Sequence, residues 1–139
     1  MYHKILIAND GSEGGRKALG GAIELAKRLG AEVHMISVVE LPRFSDSIGE
    51  LIEEQDQANS LFEKAIAHAR TKAAMQKVEL KTHVVIGHPV SRIVEFITDG
   101  YFDLLVVGYM GHSALFSHLI GGTTDRLVRL APCAVMVVK

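Results

Sequence analysis

Five short apolar runs alternate with stretches of helical pattern along this chain, and this alternation limits the possible folds most strongly. The runs lie next to glycine, proline or polar turn residues, as buried β-strands commonly do. They cover His3–Asn9, Ala31–Glu40, Glu79–Gly87, Phe102–Gly108 and Cys133–Val138. Strands that alternate with helices are joined by right-handed crossovers, so the sequence predicts an α/β fold around a mostly parallel sheet.

The segments between the runs carry helix signals. Ser12 stands where a helix N-cap is expected, and Gly30 stands where that first helix should end. A single long helix is predicted from about Ser47 to Gln76, because small and apolar residues recur along one face. Pro89 is placed to open the next helix, and the last one is predicted over Thr124–Leu130.

Two of the runs differ in a way that predicts their place in the sheet. In the third run Lys81 and His83 alternate with Thr82 and Val84, a pattern typical of an edge strand with one wet side. The fourth run is wholly apolar, which predicts a central strand covered on both faces.

Length and composition bound the class of protein. The 139 residues predict one domain over 1–139. With 15 basic and 16 acidic residues, the chain has no charge excess that would favour nucleic acid or an anionic membrane, so neither is expected as a partner. The lone Cys133, together with a first segment that lacks a signal-peptide pattern, predicts a cytoplasmic protein.

Two connections follow strands and are rich in small residues. The first reads ANDGSEGG and contains Asp10, while the second carries four glycines and then two threonines. These residues are Gly108, Gly111, Gly121, Gly122, Thr123 and Thr124. Ligands of open α/β sheets bind beyond the carboxyl ends of the strands, so both connections are expected to face one crevice. Glycines there would let backbone N–H groups approach a phosphate, and a following helix N-terminus favours an anion.

Several phosphate-binding schemes are excluded by the residues present. A dinucleotide fingerprint would place its glycines after the first strand, where Asp10 stands instead. A P-loop needs Lys after its last glycine, but Gly121 is followed by Gly122 and Thr123.

The spacing Gly-x2-Gly-x9-Gly at Gly108, Gly111 and Gly121, with Ala-x-Asp-Gly-Ser from Ala8, resembles the universal stress protein family over essentially the full length. The resemblance implies a Rossmann-like sheet of order 3-2-1-4-5 with helices on both faces, a homodimer, and ATP or AMP binding in one branch of the family. It also implies that Asp10 lies near the ribose or a Mg²⁺ ion and that backbone at Val38 meets the adenine. Gly122 departs from the pattern, because nucleotide-binding members usually have Ser or Thr there.

Other interpretations stay open. The glycines are also consistent with plain turns and a hinge, and Asp10 with closing a turn at a helix start. A metal site at His88, His112 and His118 is disfavoured, because their spacing fits no known ligand pattern. No catalytic constellation is visible, so an enzyme is not expected beyond slow ATP hydrolysis. The alternative function is a dimeric protein-interaction module that binds no nucleotide.

The last run predicts how the chain assembles. If it forms an edge strand, its apolar residues Ala134 to Val138 carry no charge or proline that would block pairing. A two-fold axis would pair this strand with itself, so a homodimer through residues 133–139 is expected.

Overall fold

A five-stranded parallel sheet forms the centre of the computed structural model, which describes residues 1–40, 48–109 and 122–139. The strands are β1 (Lys4–Ala8), β2 (Glu32–Val39), β3 (Leu80–Ile86), β4 (Leu104–Gly108) and β5 (Ala134–Val138). The helices are α1 (Glu13–Leu29), α2 (Ile48–Leu61), α3 (Glu63–Met75), α4 (Pro89–Gly100) and α5 (Gly122–Leu130). The strand order is β3-β2-β1-β4-β5, so the predicted fold class and order are confirmed.

The register shows why the middle strands are apolar. Ile5 of β1 pairs with Val33 of β2 on one side and with Leu104 of β4 on the other. The residues Leu104 to Val107 of β4 are all buried, as predicted for a central strand. Strands β3 and β5 are the two edges, which confirms the interpretation of the Lys81 and His83 pattern.

Helices cover both faces of the sheet. Ile5, Ile7 and Met35 point to the face covered by α1 and α3, while α2 packs beside them on Val39 and Ile86. Leu6, Ile36 and their neighbours point to the opposite face, which α4 and α5 cover and which we call the α4 face. Side chains alternate along each strand, so one residue step changes the face that a side chain reaches.

Local signals fixed most helix ends. The Ser12 hydroxyl accepts the N–H of Gly15 at 3.1 Å, Gly30 adopts a left-handed conformation with φ 64°, and Pro89 occupies the first turn of α4. These features confirm the predicted N-cap, stop and helix start. Within the described residues, no helix combines the length and apolarity needed to cross a membrane.

The prediction of a single long helix was wrong: the segment forms two helices, α2 and α3, which meet at Phe62. Phe62 leaves the helical conformation at φ −104° and ψ 8°, and its side chain packs against the cluster of Val39, Ala58 and Ile86. Anchoring that ring redirects the chain while Ile66 N–H still donates to Phe62 O at 2.9 Å. Ser47, the predicted start, lies outside the described residues.

Smaller differences concern other ends. The final helix begins at Gly122 and not at Thr124, and β5 begins after Cys133. Cys133, just before β5, is half-buried. Burial raises the pKa of its thiol, which donates to Ala134 O at 3.4 Å.

Candidate ligand-binding cleft

A cleft of about 420 Å³ opens on the α4 face at the carboxyl ends of β1, β2 and β4. Its size lies in the range of small-molecule sites. It lies where the helices that follow β1 and β4 leave toward opposite faces, which is the usual ligand position in open α/β sheets. Its lining consists of Ala8, Asn9, Asp10, Ser12, Gly15, Ile36, Val38, Glu40, Pro89, Ile93, Val107, Gly108, Gly122, Thr123, Thr124 and Leu127.

The β1–α1 turn forms one wall and is held by its own side chains. Asn9 Oδ1 accepts the N–H of Gly11 at 2.9 Å, and Asp10 Oδ1 accepts the N–H of Ser12 at 3.0 Å as well as the Ser12 hydroxyl. The Ser37 hydroxyl donates to Asn9 O at 2.7 Å and ties the turn to β2. Asp10 therefore closes a turn, and the same bonds fix its carboxylate at the edge of the cleft.

Gly108 is required by contact with α1. A Cβ at this position would lie 2.5 Å from both the carbonyl carbon and the oxygen of Gly14. Since no side-chain atom fits there, the end of β4 packs directly on the backbone of the first turn of α1. This contact alone accounts for the glycine, and the phosphate approach stays a prediction.

Thr124 connects the two sides of the cleft. Its hydroxyl is buried and donates to Gly108 O at 2.8 Å. A hydroxyl has one hydrogen to donate, so in this arrangement Thr124 holds the start of α5 against β4 and has no further hydrogen for a phosphate. Its backbone N–H remains part of the first turn of the helix.

The start of α5 gives the cleft an anion-favouring end. N–H groups in the first turn of a helix have no partner within the helix, and the helix dipole adds positive potential. Gly122 and Thr123 are exposed there, and a Cβ at Gly122 would meet no atom of residues 1–40, 48–109 and 122–139 within 4 Å. The described residues therefore leave this end open to a ligand.

The rest of the lining is apolar or acidic. Ile36, Val38, Ile93 and Leu127 supply aliphatic surface suited to a flat apolar ring. Asp10 and Glu40 contribute carboxylates, and no Lys or Arg of the described ranges lines the cleft. Residues 1–40, 48–109 and 122–139 contain no group of three His, Cys, Asp or Glu placed to hold a metal ion.

The structure thus brings together residues predicted from distant parts of the sequence. Ala8, Asp10, Val38, Gly108, Gly122, Thr123 and Thr124 all line the cleft, whereas His88 does not. Gly111, Gly121, His112 and His118 lie outside the described residues. Whether the lining residues bind a nucleotide stays a prediction.

Sequence reasoning missed part of the lining. Ile36, Ile93 and Leu127 follow the apolar periodicity of ordinary core positions, so no local signal separates them from the core. The sequence indicates Glu40 only as the last residue of the second predicted strand, not as part of a site. The available signal was that β2 ends, and α4 and α5 begin, at the carboxyl edge of the sheet, and this signal becomes specific only when the strand order is known.

The chain is similar to known proteins over its whole length. The sequence profile described as the universal stress protein family matches residues 1–139. A universal stress protein of Methanocaldococcus jannaschii is 33% identical, and the alignment covers 100% of this chain and 83% of that protein. The solved structure of universal stress protein UspA from Lactobacillus plantarum has a TM-score of 0.81 at 26% identity, covering 99% of this chain and 98% of that one.

Three more distant solved structures hold nucleotides. A universal stress protein in complex with cAMP has a TM-score of 0.77 at 23% identity, covering 99% of this chain and 97% of that one. One from Archaeoglobus fulgidus in complex with dAMP has a TM-score of 0.64 at 19% identity, covering 99% of this chain and 98% of that one. One from Arabidopsis thaliana with AMP bound has a TM-score of 0.61 at 16% identity, covering 99% of this chain and 91% of that one. At these identities the likeness establishes a shared fold.

Proposed function

We propose that this chain, which belongs to the universal stress protein family, acts as a single regulatory domain of a stress response that binds an adenine nucleotide in the cleft. The observation that carries the proposal is the convergence of the ANDGS turn, the end of β2 and the start of α5 on one cleft of about 420 Å³. The relatives in complex with cAMP, dAMP and AMP support the ligand class.

The lining suggests how the nucleotide lies. The aliphatic side of the cleft, with Ile36, Val38 and Ile93, accepts the adenine ring. The phosphate lies toward the start of α5, where backbone N–H groups and the helix dipole favour an anion. Asp10 lines the cleft from the β1–α1 turn, and its carboxylate, which accepts the Ser12 N–H, is suited to accept a ribose hydroxyl as well.

Charge decides between nucleotides. Asp10 and Glu40 repel added negative charge, and no described Lys or Arg of the lining compensates for it. A triphosphate therefore requires Mg²⁺ on its phosphate oxygens, whereas AMP does not. Asp10 is the residue placed to contact water on such an ion. We expect ATP to bind only with Mg²⁺, with micromolar affinity, and more tightly than GTP.

Titration calorimetry with AMP, with ATP with and without Mg²⁺, and with GTP tests the proposal. Thr123→Glu is the informative variant, because Glu in the first turn favours the helix but repels a phosphate. AMP should bind roughly tenfold more weakly to it, while adenosine binds as before. Thr71→Glu on the exposed face of α3 is the matched control and should leave both affinities unchanged.

No heat and no thermal shift at millimolar nucleotide would contradict the proposal and favour the dimeric interaction module. A search for co-purified nucleotide by mass spectrometry of the denatured protein gives an independent check. A Thr123→Glu variant that binds AMP like the original chain would place the phosphate elsewhere.

Assembly is the second part of the proposal: the chain forms a homodimer through the open edge of β5. Val138 O accepts the N–H of Tyr109 at 2.9 Å, so Val138 faces β4. Alternate residues of a strand point their backbone groups to opposite sides, which leaves those of Val137 at the open edge. That edge has the apolar, proline-free character that invites pairing with a second copy.

Val137→Pro removes the edge N–H without removing a bond to β4, so it should shift the protein toward monomer. Val137→Ala keeps the N–H and serves as the control. Sedimentation equilibrium at micromolar concentration measures both, and a mass of 15.1 kDa for the unaltered chain would contradict the dimer.

A further inference from the structure

A pair of hydrogen-bonded histidines joins the edge strand β3 to β2 at the end of the α4 face away from the cleft. His34 Nδ1 lies 2.8 Å from His83 Nε2, and His34 Nε2 lies 2.7 Å from Glu32 Oε2. The two rings are nearly parallel, at 7° with centroids 5.1 Å apart. His34 is buried and His83 is half-buried, so water does not separate these groups.

The hydrogen bonds limit how many protons the pair can hold. An ionised carboxylate only accepts, so His34 Nε2 carries the hydrogen toward Glu32. One further hydrogen lies between His34 Nδ1 and His83 Nε2, supplied either by a neutral His83 or by a protonated His34. If both rings are protonated, two N–H groups face each other at 2.8 Å and the bond between the strands is lost.

Charges from each neighbouring element oppose the second proton. Lys4 on β1 lies 3.6 Å from Glu32 and Lys81 on β3 lies 3.7 Å from it, so this one carboxylate already has two cationic partners beside His34. Two aromatic rings also pack against the pair: Phe96 of α4 contacts His83, and Phe102, which follows α4, contacts His34.

We propose that the His34–His83 pair is a proton-sensitive latch on the edge of the sheet. With no added proton, or with one, the latch holds β3 against β2. The second proton places an imidazolium against an imidazolium and releases the amino half of β3. Because β3 is an edge strand, β2 is the one strand beside it in the sheet that residues 1–40, 48–109 and 122–139 form. The latch lies outside the proposed nucleotide cleft and does not depend on ligand binding.

The titration of the cluster has a defined sign. Burial lowers the pKa of His83 from its usual 6.5, and the charges of His34, Lys81 and Lys4 lower it further. The hydrogen bond from His34 lowers the pKa of Glu32, with Lys81 and Lys4 adding to that effect, so this carboxylate stays ionised. The unfolded chain takes up the His83 proton more readily than the folded one. The stability from the latch is therefore present above pH 6.5 and is lost as the pH falls below it.

Amide hydrogen exchange of peptides covering β3 tests the proposal in the full chain. From about pH 7.5 to about pH 5.5, protection of Leu80–Ile86 should fall after correction for intrinsic exchange. His83→Gln should abolish this fall, because a glutamine amide donates to His34 Nδ1 but does not titrate. The matched control is His68→Gln, an exposed histidine on α3, which should lose protection like the original chain.

A second measurement needs no variant. NMR titration of the ring carbons should show that the pair takes up its protons in two separated steps, the later one below the usual range of histidine. The proposal is overturned if both rings titrate together near pH 6.5, or if His83→Gln loses β3 protection on acidification as the original chain does.

Discussion

The two ends of the α4 face carry similar polar residues, but these residues line an open cleft at one end and are bonded to one another at the other. At the carboxyl end, Asp10, Glu40 and the threonines of α5 surround an open cleft of about 420 Å³. At the amino end, His34 bonds to both His83 and the exposed Glu32, and aromatic rings contact the two histidines. The carboxyl end is built from turns and a helix start that keep space open, whereas the amino end is built from side chains that fill it.

The comparison shows that polar residues on a sheet face do not by themselves mark a binding site. The main difference lies in the backbone. Glycines at the carboxyl end leave out side chains, and at Gly108 this lets β4 pack on Gly14. At the amino end the large side chain of Phe102 is buried and contacts His34 and Phe96. Function is therefore expected at the open end and stability at the filled end.

Phe102→Ala removes packing at the amino end of the α4 face and should have the largest effect on stability. The side chain is 5% exposed and also lies under the Lys4 ammonium, 4.7 Å from the ring centroid. Removing it should lower the free energy of unfolding by about 3–5 kcal/mol, measured by urea denaturation. AMP affinity of the folded variant should not change, because Phe102 does not line the cleft. Phe102→Leu is the control. If Phe102→Ala loses more affinity for AMP than Phe102→Leu does, the two ends of the face are not independent.

Gly108→Ala tests the packing that the carboxyl end does require. The added Cβ would lie against the backbone of Gly14, which cannot turn aside as a flexible side chain does. We expect a loss of about 1–3 kcal/mol in unfolding free energy, together with weaker nucleotide binding as α1 and β4 move apart. Gly20→Ala is a suitable control, since its Cβ would meet only the end of Lys72 at 3.4 Å. Equal stability of the two variants would show that the contact with Gly14 is not tight.

Gly122→Ser adds a side chain at the open end, where a new Cβ would meet no atom of the described residues within 4 Å. The new hydroxyl restores the donor that nucleotide-binding relatives are expected to have, so affinity for AMP should rise about tenfold, equivalent to about 1.4 kcal/mol. Calorimetry is the measurement, and Gly122→Ala separates the hydroxyl from the effect of stiffening the helix start. If both variants bind alike, the hydroxyl plays no part.

Thr124→Val should give the smallest effect. Valine keeps the shape of threonine but leaves Gly108 O without the hydroxyl donor at 2.8 Å. A loss of about 1 kcal/mol in unfolding free energy is expected from urea denaturation. Thr124→Ser retains the donor and should recover most of this loss. A fully stable valine variant would mean that another group satisfies Gly108 O.

Much of the site could be predicted because its residues follow strands. Asp10 and Gly108 each come directly after or at the end of a buried apolar run, and parallel strands bring their carboxyl ends to one edge. The roles within the site could not be predicted in the same way. The Thr124 hydroxyl, for example, donates to a carbonyl sixteen residues earlier in the chain, which no local pattern indicates.

The sequence by itself determined the alternation of strands and helices, the helix ends at Ser12, Gly30 and Pro89, and the edge character of the third strand. These features depend on neighbours along the chain, through hydrogen bonds and side-chain periodicity within one element. The tertiary structure decided the break at Phe62, the contact of Gly108 with Gly14, and the pairing of His34 with His83. Each of these depends on the register and packing of elements that are distant in sequence, and one residue of slip would send the side chain to the opposite face.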